Sequence, residues 1–326
     1  MIDPNNIFNI SSPTEFEHMA MELFRFQYQK NTTYRTFCGH LGKTDKTVSR
    51  LDQIPFLPIE LFKTQRIVSG NLNTKTVFTS SGTTGQIASQ HHIYDVEIYK
   101  RSYLSAFEHF YGDIGNYCIL ALLPSYLERS GSSLVYMVDD LIKRSGNSNS
   151  GFYLDEIDLL IETLEKVDGE GGKVLLIGVS FALLDLIEKQ QLQLNRTIVM
   201  ETGGMKGRRK ELIRSELHDT LQNGFGITEI HSEYGMTELL SQAYSKGHGK
   251  FYSPPWMHVL IRDPEDPLSY LGHGKTGGIN VIDLANIHSC SFIATQDLGK
   301  KFADGSFEVL GRFDHSDIRG CNLMVF

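Results

Sequence analysis

Only four cysteines occur in 326 residues, and Cys38, Cys118, Cys290 and Cys321 stand far apart with no C-x-x-C pair. That spacing excludes a disulfide framework and a structural zinc site from the expectations. No apolar run reaches the length needed to cross a bilayer, and the opening MIDPNNIFNISS has no basic stretch followed by an apolar one. The expectation is a cytoplasmic protein without a membrane span. Positive charge is also scarce: the formal net charge is -8, and the basic residues are scattered apart from Lys206, Arg208, Arg209 and Lys210. Nucleic acid is therefore not an expected partner, and the short basic run reads as the solvated start of a helix rather than as a phosphate clamp. A Walker loop is missing as well, because Gly274-Lys275-Thr276 has Ser269 where the leading glycine should stand. No G-x-G-x-x-G follows a strand either.

What is present is the composition of a folded globular protein, 40% hydrophobic and 21% charged, with a length that favours a large core and about two domains or lobes. Ser12-Pro13-Thr14-Glu15 predicts a helix start, with Ser12 as cap, Pro13 at the first helical position and Glu15 reaching back. Phe16, Met19, Ala20, Leu23 and Phe24 follow at helical spacing and predict its inward face. Prolines in residues 54–63 bar a long helix, so this segment is expected to run extended over the surface. Val77-Phe78-Thr79 predicts a short strand.

Further on, Val174-Leu175-Leu176-Ile177, a helix over 181–190 and Thr197-Ile198-Val199-Met200 predict a β-α-β unit and a parallel sheet. Gly203-Gly204 follows the second strand, where open α/β sheets place their ligand crevices. Beyond about residue 250 the texture changes to short apolar strands such as His258-Val259-Leu260-Ile261 and Ile279-Asn280-Val281-Ile282, broken by turn residues. Ala303-Asp304-Gly305-Ser306 predicts a hairpin. The expected organisation is an α/β core over 1–250 and a β-rich subdomain over 251–326.

Four segments offer chemistry. Ser80-Ser81-Gly82-Thr83-Thr84-Gly85 follows a strand and supplies amides, hydroxyls and glycines that let phosphate oxygens approach the main chain; a flexible turn is the plainer alternative. Tyr234-Gly235-Met236-Thr237-Glu238 puts an aromatic ring, a hydroxyl and a carboxylate within five residues, a set suited to a base and a phosphate-bound magnesium ion, although alone it reads equally as a turn. Gln296-Asp297-Leu298 and Gly311-Arg312-Phe313-Asp314 each follow a strand. Asp297 is suited to accept ribose hydroxyls and Arg312 to donate to ribose or phosphate, or the two form a surface ion pair.

In this order the four segments resemble the motifs of the adenylate-forming superfamily of acyl-CoA synthetases, firefly-type luciferases and peptide-synthetase adenylation domains. Within it, Leu57-Pro58-Ile59-Glu60-Leu61-Phe62-Lys63, the doubled Ser80-Ser81 and residues 234–242 (YGMTELLSQ) are most similar to the acyl-protein synthetases, the long-chain-fatty-acid–luciferin-component ligases. The resemblance spans nearly the whole chain. It implies a doubly wound α/β large-domain fold with a β-rich subdomain, and ATP and Mg2+ as cofactors. It also implies roles: Ser80, Ser81, Gly82, Thr83, Thr84 and Gly85 around phosphate, Gly203 and Gly204 against adenine, and Tyr234, Gly235 and Thr237 in the nucleotide site with Tyr234 stacked on the base. Asp297 and Arg312 would hold ribose, and Glu238 would bind magnesium as a catalytic residue.

Two departures stand out. Residues 86–90 read QIASQ, without the lysine that many relatives carry after the phosphate loop. Asp314 is followed by twelve residues, too few for the small C-terminal lid, so the lid is expected to be absent. The family is thought to carry the acyl group on a cysteine near its C-terminus; Cys321 is the matching position, with a buried structural cysteine as the alternative. The expected activity is ATP-dependent conversion of a carboxylic, by resemblance fatty, acid to acyl-AMP and transfer to a protein thiol, with a reductase or acyl-carrier protein as further partners. The rival readings are a ligase of the phenylacetate–CoA type, with coenzyme A as acceptor, and a non-catalytic nucleotide- or acyl-binding subunit.

Overall fold

The computed structural model of the chain describes residues 2–81, 87–123, 131–203 and 212–313. The helix start at Ser12 is complete: Ser12 Oγ accepts from the Glu15 amide, the Glu15 carboxylate accepts from the Ser12 amide, and Pro13–Lys30 is helical. These reciprocal bonds satisfy amides that have no partner inside the helix. Phe16, Met19, Ala20, Leu23 and Phe24 are all buried. One turn later Gln27, also buried, donates to the carbonyls of Asn286 and Ile287 and accepts from the Ser291 amide. The N-terminal helix therefore fixes a turn more than 250 residues away in sequence.

The β-α-β unit is present. Lys173–Val179 and Thr197–Thr202 pair in parallel around the helix Ser180–Lys189. Among the described residues they belong to a twelve-stranded sheet whose parallel part runs in the spatial order Gly151–Phe152, Tyr117–Leu122, Lys173–Val179, Thr197–Thr202 and His231–Tyr234. Tyr117–Leu122 is buried at every position, as expected for a parallel strand covered on both faces. The carboxyl ends of these strands share one edge, where an open parallel sheet leaves a crevice.

Past His231–Tyr234 the pairing turns antiparallel, through Ala243–Ser245, Phe251–Tyr252, Phe307–Arg312, Phe292–Lys301, Thr276–Asp283 and Met257–Arg262. The predicted hairpin closes with Lys301 opposite Phe307, and Gly305 takes a φ of +85° that favours glycine. Thr76–Thr79 pairs with Gln90–Ile93 in a separate two-stranded ribbon.

Residues 54–63 depart from the expected surface course. Ile54, Phe56 and Leu57 are buried, and Leu57–Pro58 joins the large sheet in parallel with Ile293–Ala294. The strand Phe307–Arg312 reaches only as far as Asp297 on this neighbour, which leaves the edge at Ile293–Ala294 open. Proline is tolerated at such an edge, since its missing donor breaks no ladder, and burial of the apolar side chains outweighs the expected course over the surface. No helix among the described residues is long and apolar enough to cross a membrane.

Candidate functional site

Tyr234 ends the last parallel strand, so its side chain stands at the crevice edge. Its hydroxyl donates to Asp297 Oδ2 at 2.8 Å, and the ring is buried edge-on against Phe251 and Phe307, with centroids 6.0 and 5.7 Å away. Asp297 lies opposite Arg312 across the antiparallel pair, and Arg312 Nε is 3.5 Å from Asp297 Oδ1. Burial raises the Asp297 carboxyl above its usual range, while Tyr234, Arg312 and Arg262 pull the other way. Arg312 remains exposed at 82% of its side chain, which leaves its guanidinium free to meet a ligand.

Glu238 closes the turn that Tyr234 opens. It is buried, and desolvation raises its carboxyl against the opposing pull of the Ser89 hydroxyl, Arg312 and Lys63. Ser89 also fixes the base of the glycine-rich loop: its amide donates to Ser80 Oγ at 2.9 Å, and its carbonyl accepts from the Ser80 amide at 3.1 Å. Thus Ser80 and Glu238 are brought to one place, while Ser81 is exposed. Gly203 follows its strand with a φ of +70°, and its carbonyl accepts from Ser180 Oγ at 2.7 Å. Gly82, Thr83, Thr84, Gly85, Gly204 and Cys321 lie outside the described residues, as do the basic run at 206–210 and Asp314.

The donor set suits Mg2+ in one way only. Among the described residues no three His, Cys, Asp or Glu side chains converge as a metal cage. Magnesium is commonly held by one or two carboxylates plus substrate phosphates, and Glu238, a single buried carboxyl whose ionised form lacks full compensation, fits that arrangement.

Three residues that hold this turn escaped the sequence reading. His91 is buried and donates from Nδ1 to the Thr237 carbonyl at 2.9 Å, while Nε2, 2.8 Å from Ser289 Oγ, accepts. That tautomer follows from the carbonyl, which only accepts, and burial lowers the imidazole to about 4, so it is neutral near pH 7. Asn286 Nδ2 donates to the Glu238 carbonyl at 2.8 Å. Asp283 accepts from the amides of Leu240, Ser241 and Ala285 and from Ser241 Oγ. Asp283 and Asn286 stand at the end of an apolar strand in a run rich in polar residues, and His91 lies within a short strand without a motif. Cys38, Cys118 and Cys290 are free and buried, and burial raises all three thiols, Cys38 to about 12.

Comparison with known proteins agrees with the resemblance. The family described as acyl-protein synthetase, LuxE, matches residues 10–111. A long-chain-fatty-acid–luciferin-component ligase of Aliivibrio fischeri is 21% identical over 95% of this chain and 87% of its own length. Among solved structures, ATP-bound MatB from Rhodopseudomonas palustris superposes with a TM-score of 0.56 at 17% identity, covering 74% of this chain and 49% of that one. A 2-hydroxyisobutyryl-CoA ligase, in an open conformation with 2-HIB-AMP and CoA, gives a TM-score of 0.66 at 10% identity, covering 93% and 70%. The chain thus spans about half the length of MatB. It has the α/β fold of the adenylate-forming ligases and resembles the acyl-protein synthetases.

Proposed function

We propose that this chain is an acid–thiol ligase that converts a carboxylic acid and ATP to acyl-AMP and passes the acyl group to a protein thiol. The observation that carries the reading is the convergence of Tyr234, Asp297, Arg312 and Glu238, drawn from two parts of the sequence, at the carboxyl edge of a sheet of this fold. The α/β core expected over 1–250 supplies Tyr234 and Glu238, and the β-rich part expected over 251–326 supplies Asp297 and Arg312.

In the first half-reaction a carboxylate oxygen attacks the α-phosphorus of ATP, and the bond to pyrophosphate breaks. The protein's task is to position the reactants and neutralise charge. Asp297 Oδ2 accepts from the Tyr234 hydroxyl, which leaves Oδ1, with Arg312 beside it, as the oxygen that would take the ribose hydroxyls. Glu238 would hold Mg2+, whose bound charge offsets that of the phosphates. Ser80 would anchor the loop that, by the resemblance, takes the phosphates, and Gly203 and Gly204 are the residues that the resemblance assigns to adenine. In the second half-reaction a thiolate attacks the acyl carbon, AMP leaves, and the thiol proton passes to solvent.

Cys321 is the proposed acceptor. The three described cysteines are poor candidates, since only the thiolate attacks and burial disfavours it. A fatty acid is the first substrate class to test, because the Aliivibrio fischeri relative is named for one. The deciding experiment is pyrophosphate release across a panel of carboxylic acids, with and without coenzyme A. Release that requires both acid and MgATP is the expected result; no release with any acid leaves only a binding subunit.

A further inference from the structure

A second set of buried polar atoms lies on the other side of the same strand end. Successive side chains of a strand point to opposite faces, so Glu233 is directed away from the contact between Tyr234 and Asp297. Glu233 Oε2 accepts from the hydroxyl of Thr202, its register partner, at 2.5 Å. A side-chain carbon on Gly235 would lie 2.3 Å from Glu233 Oε1 and 3.3 Å from Gln242 Cγ. Both side chains therefore converge on the space that Gly235 leaves open.

Among the described residues, Gln242 lacks a donor for its buried carbonyl oxygen, and Glu233 has the Thr202 hydroxyl but no cation to balance its charge. Gln242 is 3% exposed, and its Oε1 has no hydrogen-bond partner. Glu233 is 8% exposed and forms no ion pair among the described residues, whereas the adjacent Glu201 holds Arg214 at 2.7 Å. Tyr99, Tyr111 and Tyr244 surround it closely enough to feel its charge. A buried acceptor without a donor destabilises the fold, and such a cost persists most readily where a ligand removes it.

Resting on the acyl activation proposed above, we infer that Glu233 and Gln242 line the acyl pocket and select a carboxylic acid carrying a hydrogen-bond donor, a hydroxyl or an ammonium, within a few bonds of its carboxylate. The short reach follows from the turn. Gly235 lies between Tyr234, beside the proposed ribose site, and Glu238, beside the proposed phosphate site, so the carboxylate under activation sits next to the Gly235 gap.

The test compares octanoate, 2-hydroxyoctanoate, 3-hydroxyoctanoate and 3-aminooctanoate in two assays on the full chain: acid binding by calorimetry and pyrophosphate release with MgATP. A donor-bearing acid should exceed octanoate by at least about tenfold in both, because a site built around a polar group rejects an analogue that lacks it. Glu233→Leu and Gln242→Leu should lower binding and release of the donor-bearing acid by a larger factor than those of octanoate, so that the ratio between the two acids falls, an effect that misfolding does not produce. Glu233→Gln should spare a hydroxyl preference and abolish an ammonium one. Octanoate equal to or better than every donor-bearing acid, or a preference that survives Glu233→Leu, overturns the inference and leaves acyl activation standing. Selective binding without any pyrophosphate release overturns acyl activation and leaves the pocket standing. Neither binding nor release overturns both.

Discussion

Tyr234 and Asp297, 63 residues apart in sequence, are joined by a hydrogen bond of 2.8 Å across the point where the sheet changes from parallel to antiparallel. The bond ties the end of a core strand to the β-rich part and orients the carboxylate proposed to receive ribose. Phenylalanine at 234 keeps the ring and leaves Asp297 Oδ2 buried without this donor. Tyr234→Phe should cost roughly 1–3 kcal/mol of stability and weaken ATP binding. Thermal melting and ATP titration by calorimetry read the two effects; an unchanged ATP dissociation constant removes Asp297 from the ribose site.

Glu238 separates function from folding, because the turn is held through main-chain atoms. Asn286 donates to the Glu238 carbonyl and His91 to the Thr237 carbonyl, and neither bond involves the Glu238 side chain. Glu238→Ala should melt near the wild-type temperature yet release pyrophosphate about 100-fold more slowly or worse. Release within a few-fold of wild type, at any magnesium concentration, sinks the role assigned to this carboxylate.

The acceptor assignment rests on position and on the burial of the other thiols. With MgATP and a competent acid, the chain should gain one acyl mass that neutral hydroxylamine removes. Cys321→Ser should lose the label while still releasing pyrophosphate. A label found on Cys38, Cys118 or Cys290, or retained in Cys321→Ser, would move the acceptor elsewhere.

Glu233 gives a pH dependence of definite sign. Burial raises its carboxyl from 4.5 to about 7, so between those values the folded protein binds more protons than the unfolded chain. Stability from this group is present below about pH 4.5 and falls as pH rises to about 7. Asp283, raised by burial to about 6, adds to the fall, while His91, lowered to about 4, works in the opposite direction up to its ordinary range. The difference between wild type and Glu233→Gln isolates the one group: the wild type should lose stability relative to the variant across pH 4.5 to 7, by roughly 1–3 kcal/mol. Parallel denaturation curves across that range refute the shift.

The sequence by itself determined the elements whose signals are local. Ser12 and Glu15 cap a helix through bonds three residues apart, Gly305 turns a hairpin, and apolar runs mark the β-α-β unit, because each depends on neighbours in the chain. Motif order carried the resemblance for the same reason, since order survives without coordinates. The tertiary structure alone decided which residues meet. Residues 54–58 left their expected surface course because an open edge at Ile293–Ala294 accepts Leu57–Pro58, and that edge exists only once the sheet is assembled. His91, Asp283 and Asn286 carry no motif, and their hold on the turn at 237–241 needs partners many residues distant. Ionisation belongs to the same class: Glu201 and Glu233 are both buried glutamates on adjacent strands, and burial raises both, but at Glu201 it is outweighed by His218, Arg214 and Ser232, which lower the carboxyl, while Glu233 stays raised. Side-chain identity fixes what a group can do, but its charge state follows from the water excluded and the partners supplied by the folded chain.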